Sequence, residues 1–129
     1  MEVKQLTKAE EQVMQIIWKL NEAAVKEVVE NFSKPMPAYT TVATVLNVLE
    51  KKGFVARRKT GNTNLFTPAI SKVDYTRYQF SSLLKNYFNG SFPKMATFFA
   101  RENQLDLAGL EAILKQAENE LSEDQIKKE

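Results

Sequence analysis

The sequence predicts a mainly α fold with a small β-hairpin: an N-terminal winged helix-turn-helix followed by a C-terminal helical dimerisation region. Three observations carry this expectation. Apolar residues recur at helical spacing in three successive segments between Thr7 and Gly53. A basic run, Phe54-Val-Ala-Arg-Arg-Lys59, follows at once and alternates like a strand, with a Gly-Asn turn and a short return run behind it. Beyond residue 72 no strand pattern recurs, and strongly apolar helical segments take over. The expected units are residues 1–72 and 73–129.

The first helix begins at Thr7. Thr7-Lys-Ala-Glu10 has the capping-box pattern, in which the hydroxyl accepts an orphan N–H and the glutamate reaches back. Ala9, Val13, Ile16, Ile17 and Leu20 then form one apolar face. Asn21-Glu22 breaks the pattern, and Val25, Val28, Val29 and Phe32 give a short second helix. Pro35 and Pro37 make a stiff connection that disfavours helix. The third helix starts at Tyr39 and ends at Gly53, a left-handed stop after Lys51-Lys52. The hairpin turns at Gly61-Asn62, Leu65-Phe-Thr67 pairs back, and Pro68 ends the strand. Helix, helix, helix, hairpin is the minimal winged-helix order.

In the second half, Tyr75 to Phe88 is apolar around much of a helix. Asn89-Gly-Ser-Phe-Pro93 reads as a break, and Met95 to Phe99 begins another short helix. Leu107, Leu110, Leu114, Ala117 and Leu121 then step by 3, 4, 3 and 4, an a/d-type seam. Helices this apolar need a partner, either the winged helix of the same chain or a second copy; a second copy is the expectation. The candidate dimerisation residues are Leu83, Tyr87, Leu107, Leu110, Leu114 and Leu121. The tail from Ser122 to Glu129 is polar and expected to fray.

Composition narrows the function. At 129 residues, 43% hydrophobic and 26% charged, the chain reads as globular. It has no cysteine, which excludes disulfides, thiolate metal sites and a cysteine nucleophile. It has no histidine, which removes the commonest general base and metal ligand. No catalytic constellation, metal site or cofactor is expected. The acidic residues read as solvated surface. No apolar run approaches a membrane span, and MEVKQLTKAEEQ lacks the apolar stretch of a signal peptide, so a cytoplasmic protein without membrane insertion is expected. Residues 1–72 hold 11 Lys/Arg against 7 Asp/Glu, a net +4, whereas residues 73–129 hold 7 against 9, a net −2. The front half is the one suited to a polyanion.

The third helix has an odd composition. YTTVATVLNVLEKKG contains three threonines and three valines, which are poor helix formers. At about 100° per residue, Val42, Val45, Leu46 and Leu49 share one arc and form the core face. Thr40, Thr44, Asn47 and Lys51 fall on the opposite side, flanked by Thr41 and Ala43. A merely solvated face would carry Glu, Lys and Gln. Short uncharged side chains instead let a helix backbone approach base edges in a major groove. There a Thr methyl touches a thymine methyl and Asn pairs bidentately with adenine. Lys51 and Lys52 lie where the helix would leave the groove and neutralise phosphates. Arg57 and Lys59 point to one side of the strand and Arg58 to the other, so basic side chains flank the helix stripe, with Asn62 at the tip of the wing. The expected partner is double-stranded DNA.

LTKAEEQVMQIIW, YTTVATVLNVLEKKGFVARRKTGNTNLFTP and YFNGSFPKMATFFA together resemble the penicillinase (β-lactamase) repressor family of winged-helix regulators, from about Leu6 to Gln116. The resemblance implies a homodimer in which each winged helix reads half of a two-fold operator and the C-terminal helices interlock. It implies a repressor that blocks transcription of its own or antibiotic-resistance genes. Thr40, Thr41, Thr44 and Asn47 would face the groove, with Lys51, Arg57 and Arg58 near phosphate. Where the family's wing often has Gly-Arg, this chain has Gly61-Asn62. Family members induced by β-lactams are cut by a membrane-bound sensor protease at an Asn-Phe bond in the C-terminal helices. The nearest position here is Phe98-Phe99, without the Asn. The cysteine-rich C-terminus of related copper-responsive repressors is absent. Two other readings stand beside this one. In the first, the aromatic residues from Tyr75 to Phe99 line a small-molecule pocket. In the second, the winged helix binds protein and never DNA.

Overall fold

A computed structural model describes the backbone of residues 5–128 and the side chains of residues 5–124. Residues 1–4 and Glu129, parts of the two tails considered above, lie outside the described residues. The chain runs α1 (Lys8–Leu20), α2 (Val25–Glu30), α3 (Tyr39–Lys51), β1 (Val55–Thr60), β2 (Thr63–Pro68), α4 (Lys72–Phe88), α5 (Phe92–Glu102) and α6 (Leu107–Lys128). It divides into two compact units, one ending at Gln79 and the other starting at Phe80.

The first unit is the expected winged helix. Thr7 caps α1 as its sequence pattern requires: the Glu10 N–H donates to the Thr7 hydroxyl at 3.2 Å, and the Thr7 N–H donates to Glu10 Oε1 at 2.8 Å. Val13 and Ile17 are buried and Ile16 and Leu20 half-buried, as the periodicity requires. Ala9 is exposed, however, and Met14 takes a core position instead. Asn21 ends α1 in the left-handed region at φ +67°. Ala23 next exchanges two backbone hydrogen bonds with Phe66, at 3.0 and 2.8 Å. This adds a one-residue third edge to the hairpin. A single paired residue leaves no alternation for a sequence pattern to reveal.

The end of α3 is a Schellman motif. The Gly53 N–H donates to Glu50 C=O at 3.1 Å and the Phe54 N–H to Leu49 C=O at 2.9 Å, with Gly53 at φ +84°. This reversal drives Phe54 into the core, where it is fully buried, and starts β1 at Val55. β1 and β2 pair antiparallel from Val55↔Pro68 to Thr60↔Thr63, which leaves Gly61-Asn62 as a two-residue turn. Gly61 has φ +62° and Asn62 has no positive φ, the type II′ pattern. The core joins α1, α2, α3 and the hairpin through Val13, Ile17, Val28, Val42, Leu46 and Phe54. Val45, expected on the same face, is only half-buried.

The start of α4 belongs to this core. Tyr75 is 5% exposed and meets Trp18 and Phe54, each at 5.6 Å between ring centroids. The Trp18 indole N–H donates to Ile70 C=O at 2.8 Å. Truncating Phe54 to Ala would cost about 3–5 kcal/mol. Its edge contact with Tyr75 accounts for only about 0.5–1.5 kcal/mol. Burial, not ring geometry, therefore holds this corner. Tyr75 and Tyr78 are packing residues of the first unit rather than walls of an aromatic pocket in the second.

Two surface expectations are corrected here. Glu10 is 5% exposed, not solvated, and Lys52 is its partner rather than a free cation: Nζ lies 2.7 and 2.9 Å from the two carboxylate oxygens. Burial alone would raise the Glu10 carboxyl. The Lys52 hydrogen bond, the Thr7 N–H and hydroxyl and the Lys52 charge together bring it below the usual carboxylate range. In the second unit, α5 begins at Phe92 rather than Met95. Ser91 caps it by accepting from the Lys94 N–H at 3.2 Å, and Pro93 sits in its first turn, where proline costs no hydrogen bond. The tail expected to fray from Ser122 continues α6 to Lys128. Ala100 is the one buried residue of this unit among the described residues.

Because the folded Glu10 carboxyl titrates below the unfolded one, its stabilisation is complete above about pH 4.3 and is lost as pH falls through the folded value. Glu10→Gln is expected to cost about 1–3 kcal/mol at pH 7. The gap to the unsubstituted chain should narrow between pH 7 and a strongly acid pH, as the folded carboxyl is protonated. Urea unfolding of both proteins at the two pH values measures it; a gap independent of pH would deny the carboxylate this role.

Candidate nucleic-acid interface

The outer side of α3 is exposed at Thr40, Thr41, Thr44, Asn47 and Lys51. Ala43 is half-buried and packs against the core, so it lies at the edge of this stripe rather than on it. The Thr44 hydroxyl donates to the Thr40 C=O at 2.9 Å. Its proton is thereby committed within the helix, which leaves its methyl group and an acceptor lone pair facing out. α3 has no side-chain cap: Ala38 occupies the N-cap position. The threonines therefore do not serve as the cap of this helix.

The hairpin stands beside α3. Arg57 lies directly across from Phe66 in the β-ladder, and its guanidinium sits 5.0 Å above the Phe66 ring. Arg57 Nη2 donates to Asn47 Oδ1 and lies 3.1 Å from Glu50 Oε1. Arg58, on the other side of the strand, reaches both oxygens of Glu22 at 2.9 Å and the Thr60 hydroxyl at 3.1 Å. The alternation of the two arginines is as the strand pattern requires. Their occupation by carboxylates is a finding: neither is a free cation in the unbound chain. The Asn47 oxygen, which bidentate pairing with adenine would turn to the base, accepts from Arg57 with one of its two lone pairs.

An open cleft of about 570 Å³ lies between α2, α3 and the hairpin, lined by Lys26, Tyr39, Asn47, Arg57, Asn62 and Asn64 among others. Tyr39, Lys26 and Asn64 had no place in the candidate site. Tyr39 stands at the first position of α3 beside the threonines and was legible from adjacency. Lys26 and Asn64 are brought in by the helix turn and the hairpin register, which no local pattern signals. The Glu50 contact follows from helical spacing, since it lies one turn after Asn47. The Glu22 contact spans 36 residues and has no sequence signature.

The candidate dimerisation residues are placed on the second unit. Leu83, Tyr87, Leu107, Leu114 and Leu121 are exposed and Leu110 is half-buried. Phe98 and Phe99 lie within α5, both exposed, with Phe98 5.6 Å from Phe88 between centroids. Among the described residues no group of acidic side chains is arranged to hold a metal ion, and no helix is long and apolar enough to cross a membrane.

A model of the penicillinase repressor family matches residues 6–126. The chain belongs to the penicillinase repressor family. It is thus a member of a family of DNA-binding transcriptional repressors with the winged-helix fold. A penicillinase repressor of Bacillus licheniformis is 31% identical over 125 residues, covering 94% of this chain and 98% of that protein. The solution structure of the DNA-binding domain of the repressor BlaI is similar at 35% identity and a TM-score of 0.50, covering 57% of this chain and 92% of that one. The family match extends through α5 and most of α6, so both units fall within it.

The Arg58–Glu22 pair is exposed at both ends, 60% and 39% for the two side chains. Exposed pairs contribute about 0–1 kcal/mol. Arg58→Gln is expected to shift urea unfolding by less than about 1 kcal/mol. A larger loss would make Arg58 a structural residue of the first unit.

Proposed function

We propose that the chain is a homodimeric transcriptional repressor. In this reading α3 lies in the major groove of a two-fold operator, and the dimer blocks transcription while performing no chemistry of its own. The observation that carries this reading is the uncharged Thr40, Thr41, Thr44 and Asn47 stripe, exposed beside two hairpin arginines, in a member of a repressor family. Thr40 and Thr44 present methyl groups and acceptors to base edges, Asn47 reads a base, and Lys51, Arg57, Arg58 and Asn62 meet phosphates. Glu22 and Glu50 are then exchanged for phosphate when DNA binds. The protein acts where the DNA is, in the cytoplasm.

Two copies associate through the second unit. Its support is the row of exposed apolar side chains on α4 and α6: Tyr87 is 75% exposed, Leu107 70%, Leu114 64% and Leu121 65%. Surfaces of this kind are costly to leave in water. A two-fold dimer places two α3 helices on two half-sites, which matches the symmetry of the operator. The position nearest the family's Asn-Phe bond is Phe98-Phe99, within helix α5.

Fluorescence anisotropy with labelled DNA from the promoter upstream of the protein's own gene, against a scrambled duplex at two salt concentrations, tests the reading. A preference of ~10³-fold or more that falls steeply with salt is expected. Equal weak binding to both duplexes would move the protein-binding reading to the front. Thr44→Glu is expected to weaken operator binding by at least about 100-fold, through lost contact and phosphate repulsion, with the melting temperature retained. Normal binding by this variant would remove α3 from the groove. Leu114→Glu is expected to yield monomers at micromolar concentration by light scattering; a variant that stays dimeric would refute the α6 seam.

A further inference from the structure

We propose that Arg57 is a specificity-determining residue: by holding the Asn47 side-chain oxygen it leaves that side chain a hydrogen-bond donor, so the Arg57–Asn47 pair selects a base edge that presents acceptors, guanine or thymine, over adenine. The inference deepens the operator-reading proposal and rests on it.

Asn47 is exposed at mid-helix on the stripe that would face the bases. Its amide has two ends of opposite character, an acceptor oxygen and a donor NH₂. Bidentate pairing with adenine needs both ends turned to one base edge, the oxygen accepting from N6 and the NH₂ donating to N7. Here the oxygen is bonded to Arg57 Nη2 and so is turned to the wing. The oxygen's second lone pair sits on that same end, so the NH₂ is the end the amide presents to DNA. Guanine offers N7 and O6, two adjacent acceptors, and thymine offers O4. Adenine sets an amino group beside its N7, and cytosine offers a donor where an acceptor is needed.

Arg57 is held in place by more than Asn47. Its guanidinium lies over Phe66, which is 2% exposed and locked by the Ala23 backbone bonds. Glu50, one turn along α3 from Asn47, takes the same nitrogen at 3.1 Å. A charged donor fixed on a core aromatic outcompetes water for the amide oxygen and restricts the amide to one orientation. Loss of Glu50 to phosphate exchange on DNA would leave the Phe66 seat and the Asn47 bond intact. The hairpin thus determines what the helix reads.

Selection from a pool of randomised duplexes tests this with the full chain, followed by sequencing of the enriched sites. Asn47→Ala identifies the base pair that Asn47 faces, as the position where preference collapses. At that position the unsubstituted chain should enrich guanine or thymine over adenine. Arg57→Met, which keeps a long apolar side chain across from Phe66 but frees the amide oxygen, should shift the preference toward adenine by roughly tenfold, the discrimination of one bidentate contact. Arg57→Thr serves as a second removal if the first variant does not fold by circular dichroism. A simple phosphate anchor would instead lower affinity evenly for every base, and that result overturns the inference, as does adenine preference in the unsubstituted chain. If the unsubstituted chain enriches no site at all, the operator-reading proposal fails and takes this inference with it. Enrichment of a site whose preferences ignore Arg57 sinks the inference alone.

Discussion

The Glu10 carboxylate closes the cap of α1 by accepting from the Thr7 amide at Oε1 and holds the Lys52 ammonium at the end of α3 with both oxygens. Two elements 42 residues apart are joined at a buried point where an uncompensated charge would be costly. The direction in which α3 leaves the core is fixed there, and the Schellman turn at Gly53 then sets Phe54 inward and β1 outward. The hairpin, the seat of Arg57 on Phe66 and the contact with Asn47 all follow from that exit. A lysine that charge counting assigns to phosphate is thus a strut between α1 and α3.

Where residues interact with near neighbours, the sequence was a sufficient guide. The Thr7 capping box, the Gly53 stop and the Gly61-Asn62 turn are local, and each formed as its pattern requires; the core face of α3 did so at Val42, Leu46 and Leu49. Where the partner is distant, it was not. Glu10–Lys52, Arg58–Glu22 and Ala23–Phe66 each bring together residues far apart in the chain, and nothing in either local segment names the other. The same division governs the candidate site. The α3 stripe was visible on a helical wheel because every member lies on one helix. The state of its polar groups was not, because Arg57 reaches it from another element.

The wing in the unbound chain is largely neutralised from within. Both of its arginines face carboxylates, and one of them also faces the amide stripe. Such pairs contribute little to folding at the surface. Their effect is instead on orientation: a long side chain with a partner is held in one rotamer and loses less freedom when it meets a ligand. In the second unit the situation is reversed. A unit with Ala100 as its one buried residue among those described leaves many of its leucines and aromatic residues exposed.

Because Arg57 and Arg58 alternate across β1 and the turn is two residues long, the hairpin is a parity device. One residue added or removed between Gly53 and Arg57 would exchange the faces of the two arginines. With one residue added, the cation that now touches Asn47 would face the Glu22 side; with one removed, its neighbour would take the seat over the aromatic ring. Diversification of such a wing is therefore confined to replacing side chains at fixed length, or to changing length by two residues at a time. Because Phe54 and Val55 lie in the same stretch and are buried, an odd change there would disturb the core as well as exchange the partners of the wing.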